Sequence, residues 1–129
     1  MIVVDTSIWI DWFGPSPTAE AERLRADIAP PRIILCDIVL LEILQGARSD
    51  AQARRIELEL RSFRLERTLG RSTAVASAQN FRTLSSLGKT MSKTADLIIG
   101  TFCIERGYSL LTKDRDFDPM AEHLGLVLA

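Results

Sequence analysis

Hydrophobic positions fall into two alternating patterns along the chain. Short β-branched runs are followed by longer stretches with helical spacing. "IVV" (2–4) opens the series and predicts a buried strand. Further strands are predicted at "RIILC" (32–36), "RLERTL" (64–69), "YSLLT" (108–112) and "LVL" (126–128). Between them, helices are predicted over 18–29, 38–45, 49–63, 72–88 and 95–107, with a short one over 119–124 and another following Asp5. Thr6 or Ser7 is the expected cap of the first helix, and "GPSP" (14–17) its breaker. Asp37, Ser49 or Asp50, and Thr94 are expected caps for later helices, and Gly46, Gly88 and Gly107 their stops. "KTMSKT" (89–94) reads as a polar loop and "KDRDFDPM" (113–120) as a turn. Strands alternating with helices predict an α/β fold: a parallel sheet covered by helices on both faces.

One helix breaks its own pattern. Six of the seven residues from Ile38 to Leu44 are aliphatic, and the seventh is Glu42. Three more acids sit in comparably apolar places. Asp5 follows "IVV", Asp96 precedes "LIIG", and Asp114 follows "LLT", with Asp116 two residues on. In an open parallel sheet, ligands bind beyond the carboxyl ends of the strands. Asp5 and Asp114 belong to that edge, and the starts of the helices carrying Glu42 and Asp96 face it. Each acid alone has a plainer reading: a helix cap for Asp5, an ion pair for Glu42, a dipole partner for Asp96, a solvated turn for Asp114 and Asp116. Jointly, converging carboxylates must stay partly protonated or take up cations. Oxygen ligands without histidine or thiolate favour magnesium or manganese.

Composition narrows the alternatives. The chain has 129 residues, a length that predicts one domain with a core of its own. Its net charge of −1 gives no bulk signal for a polyanionic partner, so any such contact needs a local patch. Cys36 and Cys103 lie in apolar contexts without a C-x-x-C spacing and read as reduced core residues. His123 is the single histidine, which excludes a His-rich zinc centre and argues against a Ser-His-Asp triad. "MIVVDTS" lacks a basic leader and no apolar run reaches membrane-spanning length, so a soluble cytoplasmic protein is expected.

Taken in order, "MIVVDTSIWID", "LLEILQG", "TADLIIGTFCIERG" and "LLTKDRDFD" resemble the PIN-domain ribonucleases, and among them the VapC-type toxins of toxin–antitoxin pairs. The resemblance runs nearly end to end. It implies a three-layer α/β/α sandwich around a parallel sheet of four or five strands. It implies that Asp5, Glu42, Asp96 and Asp114 are catalytic metal ligands, that Asp116 is a supporting acid, and that Thr6 and Thr112 orient carboxylates or water. The implied activity is Mg²⁺- or Mn²⁺-dependent endoribonuclease cleavage, with tRNA or rRNA as substrate class and 5′-phosphate products. The implied partners are a second copy of the chain and a VapB-type antitoxin. The antitoxin's tail would place a basic side chain among the acids. Gly100 and Thr101 stand where the family often has two alanines, a change that keeps the helix face small.

RNA contact needs cations near the acids. Lys89, Lys93, Lys113 and Arg115 flank the acidic blocks, and Arg48, Arg54, Arg55, Arg61 and Arg64 lie on or beside the middle helix. Asp50, Glu57 and Glu59 are interspersed there, the pattern of a solvated face. Trp9, Trp12 and Phe13 lie near Asp5 and read either as base-stacking platforms or as core. Other chemistries with acidic pockets fit less well. An aspartyl-phosphate phosphatase needs D-x-D, and Ser7 stands at the second position; a phospho-receiver needs an Asp after the third strand, where only Glu66 is offered. A non-cutting PIN-like scaffold for RNA or protein remains the alternative.

Overall fold

A computed structural model of the chain describes residues 1–16 and 18–129. Five strands form one parallel sheet: β1 (Ile2–Val4), β2 (Ile33–Cys36), β3 (Arg64–Glu66), β4 (Ser109–Leu111) and β5 (Val127–Leu128). Their order is β3-β2-β1-β4-β5. The chain therefore walks outward from β1 to β3, returns, and resumes on the other side at β4. Register places Val3 beside Ile34 on one flank and beside Leu110 on the other. Every residue of β1 and β2 is buried, which explains their unbroken apolar runs.

Among the described residues seven helices cover the sheet: α1 (Thr6–Phe13), α2 (Ala19–Asp27), α3 (Asp37–Gln45), α4 (Asp50–Leu60), α5 (Arg71–Ser86), α6 (Thr94–Arg106) and α7 (Asp118–His123). Helices α1 to α4 pack in a chain of contacts, and α5 packs on α6 and α7. These are the two outer layers of the α/β/α sandwich. Ile8, Trp9, Val39, Phe102, Cys103, Leu110, Phe117 and Met120 are completely buried between them and the sheet. Cys36 and Cys103 are free thiols in this core, as their sequence context predicts.

The predicted elements all occur, with shifted ends. Helix α4 stops at Leu60, and β3 is a three-residue edge strand whose Arg64 and Leu65 are exposed. The segment expected as a turn at 113–120 is instead a 3-10 turn, Arg115–Phe117, running directly into α7. The expected break at 14–17 begins at Gly14, which ends α1; Pro17 lies outside the described residues. Three caps differ. Asp5 rather than Thr6 or Ser7 caps α1, while Thr94 and Asp37 are the first residues of their helices. Asp37 Oδ1 binds not only the Ile38 N–H at 2.8 Å but also the Thr68 N–H at 3.1 Å and hydroxyl at 2.6 Å, so it ties α3 to the loop after β3.

Gly100 marks a close contact between α6 and α7. A Cβ there would overlap the thioether of Met120 on α7. Met120 can yield to one methyl group but not to a branched side chain. Gly100→Val is expected to lower stability by about 1–3 kcal/mol, read as a fall in the urea midpoint. An unchanged midpoint would show that α6 and α7 repack freely.

Candidate active site

The carboxyl edge of the sheet opens where β1 and β4 lie side by side, the point at which strand order reverses. A cavity of about 430 Å³ sits there, lined by Asp5, Glu42, Asp96 and Asp114 together with Thr6, Ser7, Ile10, Gln45, Gly46 and Lys93. Four acids from four separate segments thus share one pocket. Asp5 and Asp114 arrive at strand ends and Asp96 at a helix start on that edge, while Glu42 reaches the pocket from the second turn of α3.

Asp5 is held first by its backbone, whose N–H donates to Leu111 O at 2.9 Å and extends the β1–β4 ladder. Its Oδ2 accepts the Ser7 hydroxyl at 2.7 Å, the Thr112 hydroxyl at 2.9 Å and, more weakly, the Ser7 N–H at 3.4 Å. All of these donors fall on one carboxylate oxygen, so Oδ1 is the oxygen left for a ligand. Thr112 Oγ1 in turn accepts the Asp114 N–H at 2.9 Å, and Asp114 Oδ1 accepts the Asp116 N–H at 2.9 Å. A continuous chain of hydrogen bonds thereby links Asp5 to Asp116. Across the pocket, Thr6 donates to Glu42 Oε1 at 2.8 Å, which fixes a carboxylate that has no basic partner among the described residues.

Asp96 is a strongly perturbed carboxylate. It is 6% exposed and its Oδ2 is buried without a hydrogen-bond partner among the described residues. Burial, reinforced by the neighbouring charges of Asp5 and Asp114, raises its carboxyl to about 6; Lys93 partly offsets this, and Glu42 adds to it. Asp96, Asp114 and Asp116 can each place an oxygen within 4.8 Å of the other two. An orphaned buried acceptor amid acidic oxygens, with no nitrogen or sulfur donor in the cluster, suits a hard divalent cation.

The expected basic residues divide. Lys93 lines the pocket and Lys89 is exposed nearby in sequence. Lys113 is already engaged, its Nζ 2.6 Å from Asp11. Arg115 points into solvent, 93% exposed and loosely paired with Asp118 at 3.6 Å. On and beside α4, Arg61 pairs with Glu57 and Arg64 with Glu66, and Arg54 and Arg55 are exposed outside the pocket lining, while the exposed Arg48 lines an adjoining groove that shares Ile10, Glu42 and Gly46 with the pocket. Trp9 is wholly buried and packs against Trp12, Phe13 and Phe63, so it offers no stacking face. Trp12 is covered by the guanidinium of Arg25, 4.2 Å from the ring centre. Ser7, Ile10 and Gln45 are pocket residues that the sequence reading did not single out as such. Only Ser7 carried a signal, its place two residues after a strand-end acid.

Comparison with known proteins agrees with this architecture. The PIN domain family model matches residues 2–123. A VapC ribonuclease of Mycobacterium bovis is 30% identical over 135 aligned residues, covering 100% of this chain and 98% of the relative. Ribonuclease VapC11 of Mycobacterium tuberculosis matches with the same identity and the same coverage, 100% and 98%. Among solved structures, FitAcB from Neisseria gonorrhoeae superimposes with a TM-score of 0.80 at 18% identity, covering 99% of this chain and 96% of that one. VapBC-1 from nontypeable Haemophilus influenzae superimposes with a TM-score of 0.78 at 21% identity, covering 100% and 97%. With strand order, acidic pocket, family match and end-to-end relatives in agreement, the chain belongs to the PIN-domain family and, within it, to the VapC-type ribonucleases.

Proposed function

We propose that the chain is a divalent-metal-dependent endoribonuclease and the toxin of a toxin–antitoxin pair. One observation carries the reading: four acids from distant segments line one pocket, and one of the two buried ones, Asp96, keeps an unpartnered oxygen. Asp5, Glu42, Asp96 and Asp114 would hold Mg²⁺ or Mn²⁺, with Asp116 in support. A bound cation would supply positive charge for a phosphodiester and ease the loss of a proton from water, which makes that water a better nucleophile.

The protein's own residues prepare that chemistry. Ser7 and Thr112 fix one oxygen of Asp5, so the other faces the pocket in a single orientation. Thr6 does the same for Glu42. The Thr112 hydroxyl also anchors the backbone of Asp114, so acids on β1 and β4 move as one body. Lys93 adds a cation at the pocket wall, where a flanking phosphate would lie. Without metal the acids repel phosphate, so the site is silent by default.

The partner reading follows from the relatives. One structural neighbour is described as a toxin–antitoxin complex from Klebsiella pneumoniae, and another as VapBC-1 from nontypeable Haemophilus influenzae. A VapB-type antitoxin would silence this chain by setting a basic side chain among the same acids, in place of the metal's charge. A homodimer is the expected form of the toxin. No helix among the described residues is long and apolar enough to cross a membrane.

The test is to map new RNA 5′ ends in cells after induction, beside an Asp5→Asn control. New 5′-phosphate ends at a few sites, in tRNA or rRNA and absent from the control, are the expected result. Identical maps, together with purified protein that binds Mn²⁺ but leaves RNA intact, would replace the nuclease with a PIN-like binding scaffold.

A further inference from the structure

Helix α1 grips the residue before Asp114 at two points. Ser7 and Asp11 are four residues apart and share a helix face. Ser7 Oγ accepts a long hydrogen bond, 3.5 Å, from the Lys113 backbone N–H, while donating to Asp5 Oδ2 at 2.7 Å. Asp11 Oδ2 holds Lys113 Nζ at 2.6 Å and accepts the Thr18 hydroxyl at 3.1 Å. The Asp11 side chain is only 13% exposed, so this pair is partly shielded from water and from salt. Lys113 is thus fixed by its main chain and by its ammonium, each end bound to α1. Its neighbours on either side, Thr112 and Asp114, belong to the hydrogen-bonded chain that starts at Asp5.

We propose that Ser7, Asp11 and Lys113 form a clamp that docks the 112–116 loop on α1 and so sets the distance between the Asp5 and Asp114 carboxylates. All three are positioning residues, and Lys113 is not an RNA contact. The inference rests on the nuclease reading, but its main readout is metal binding without RNA.

The competing role for Lys113, a phosphate contact, has the opposite sign in one variant. If the clamp positions the acids, Asp11→Asn loosens the loop. Mn²⁺ affinity measured by calorimetry then falls about tenfold, kcat falls with it, and KM for RNA stays near the parent value. If Lys113 binds RNA, Asp11→Asn frees it. KM then drops, its salt dependence steepens, and Mn²⁺ affinity does not move. The exchanged pair, Asp11→Lys with Lys113→Asp, separates the two again: the clamp regains Mn²⁺ affinity relative to either single variant, whereas an RNA contact is not restored.

Thermal melts of each variant exclude simple unfolding, and the exchanged pair keeps the test decisive where a single variant folds poorly. Mn²⁺ affinity of Asp11→Asn within about twofold of the parent, well short of the loss usual when a ligand loses its support, overturns the clamp. A parent that binds Mn²⁺ but cuts no RNA defeats the nuclease reading and leaves the calorimetric arms to decide the clamp. A parent that binds no Mn²⁺ defeats both.

Discussion

Asp96→Asn is expected to abolish RNA cleavage while making the metal-free protein more stable. On the proposed metal site, the loss of activity follows from removing one of the carboxylates that would hold the cation; a fall of at least about a hundredfold is expected. The gain in stability follows from burial. The Asp96 carboxyl is raised to about 6 in the folded chain, against an ordinary value of 3.8. Between those values the folded state binds the proton more tightly than the unfolded state. Stability attached to this group is therefore complete below the ordinary value and is lost as pH rises through about 6. At neutral pH the charged side chain burdens the fold, and the amide removes that burden. A gain of about 1–2 kcal/mol is expected, or about 3–8 °C in Tm. With Mn²⁺ added the order should reverse, because the parent gains binding energy that the variant lacks. The parent without metal should also melt higher at pH 5.5 than at pH 7.5. A metal-free Asp96→Asn protein that melts below the parent would show that the carboxylate is not strained by its surroundings.

Trp9→Ala should have the largest effect on folding. The ring is completely buried, with centroids 5.6 Å from Trp12, 6.4 Å from Phe13 and 5.0 Å from Phe63. Truncation leaves a cavity under α1 and should cost about 3–5 kcal/mol. Ordinary domains hold about 5–15 kcal/mol in all. Because α1 also carries Thr6, Ser7 and Asp11, the site should loosen before the whole chain unfolds. Trp9→Phe is the informative companion. The indole N–H is buried without an acceptor among the described residues, so phenylalanine keeps the ring contacts and deletes an unsatisfied donor. Its cost should stay under about 1.5 kcal/mol. Urea unfolding followed by circular dichroism measures both. Equal losses for the two variants would mean that the indole's particular shape, not its aromatic bulk, holds α1.

The acidic pocket is legible in the sequence because each acid is placed by a short-range rule. Asp5 and Asp114 follow strand-like runs, Asp96 stands in the first turn of its helix, and Glu42 lies a little over one turn into the helix after β2; the parallel sheet does the rest. The sheet itself is legible for the same reason, since β1 and β2 are buried runs with no ambiguity of face. What could not be read depends on which side chains meet across the fold. Nothing near Lys113 in the chain announces Asp11 as its partner, so a lysine flanking an acidic block looks free. Asp37 looks like a cap until Thr68 is brought beside it. Trp9 reads more readily as core than as a base-stacking face, but the sequence does not name the partner that buries it, because Phe63 is far away in the chain.

The strand order has a consequence for how the chain is made. β1 is synthesised first, but its neighbour β4 is among the last strands to appear, and the bond between Thr112 and Asp5 spans 107 positions. β1 can pair with β2 early in translation, and α1 to α4 can gather over that half of the sheet. Asp5 and Glu42 can therefore take up their places on the ribosome while Asp114 does not yet exist. At about 5–20 residues per second, the interval between the first acid and the last is on the order of five to twenty seconds. Throughout that interval the growing chain is an incomplete nuclease held beside the cell's densest concentration of RNA. A topology that pairs an early strand with a late one thus withholds the completed set of acids until Asp114 has been made and β4 has joined β1.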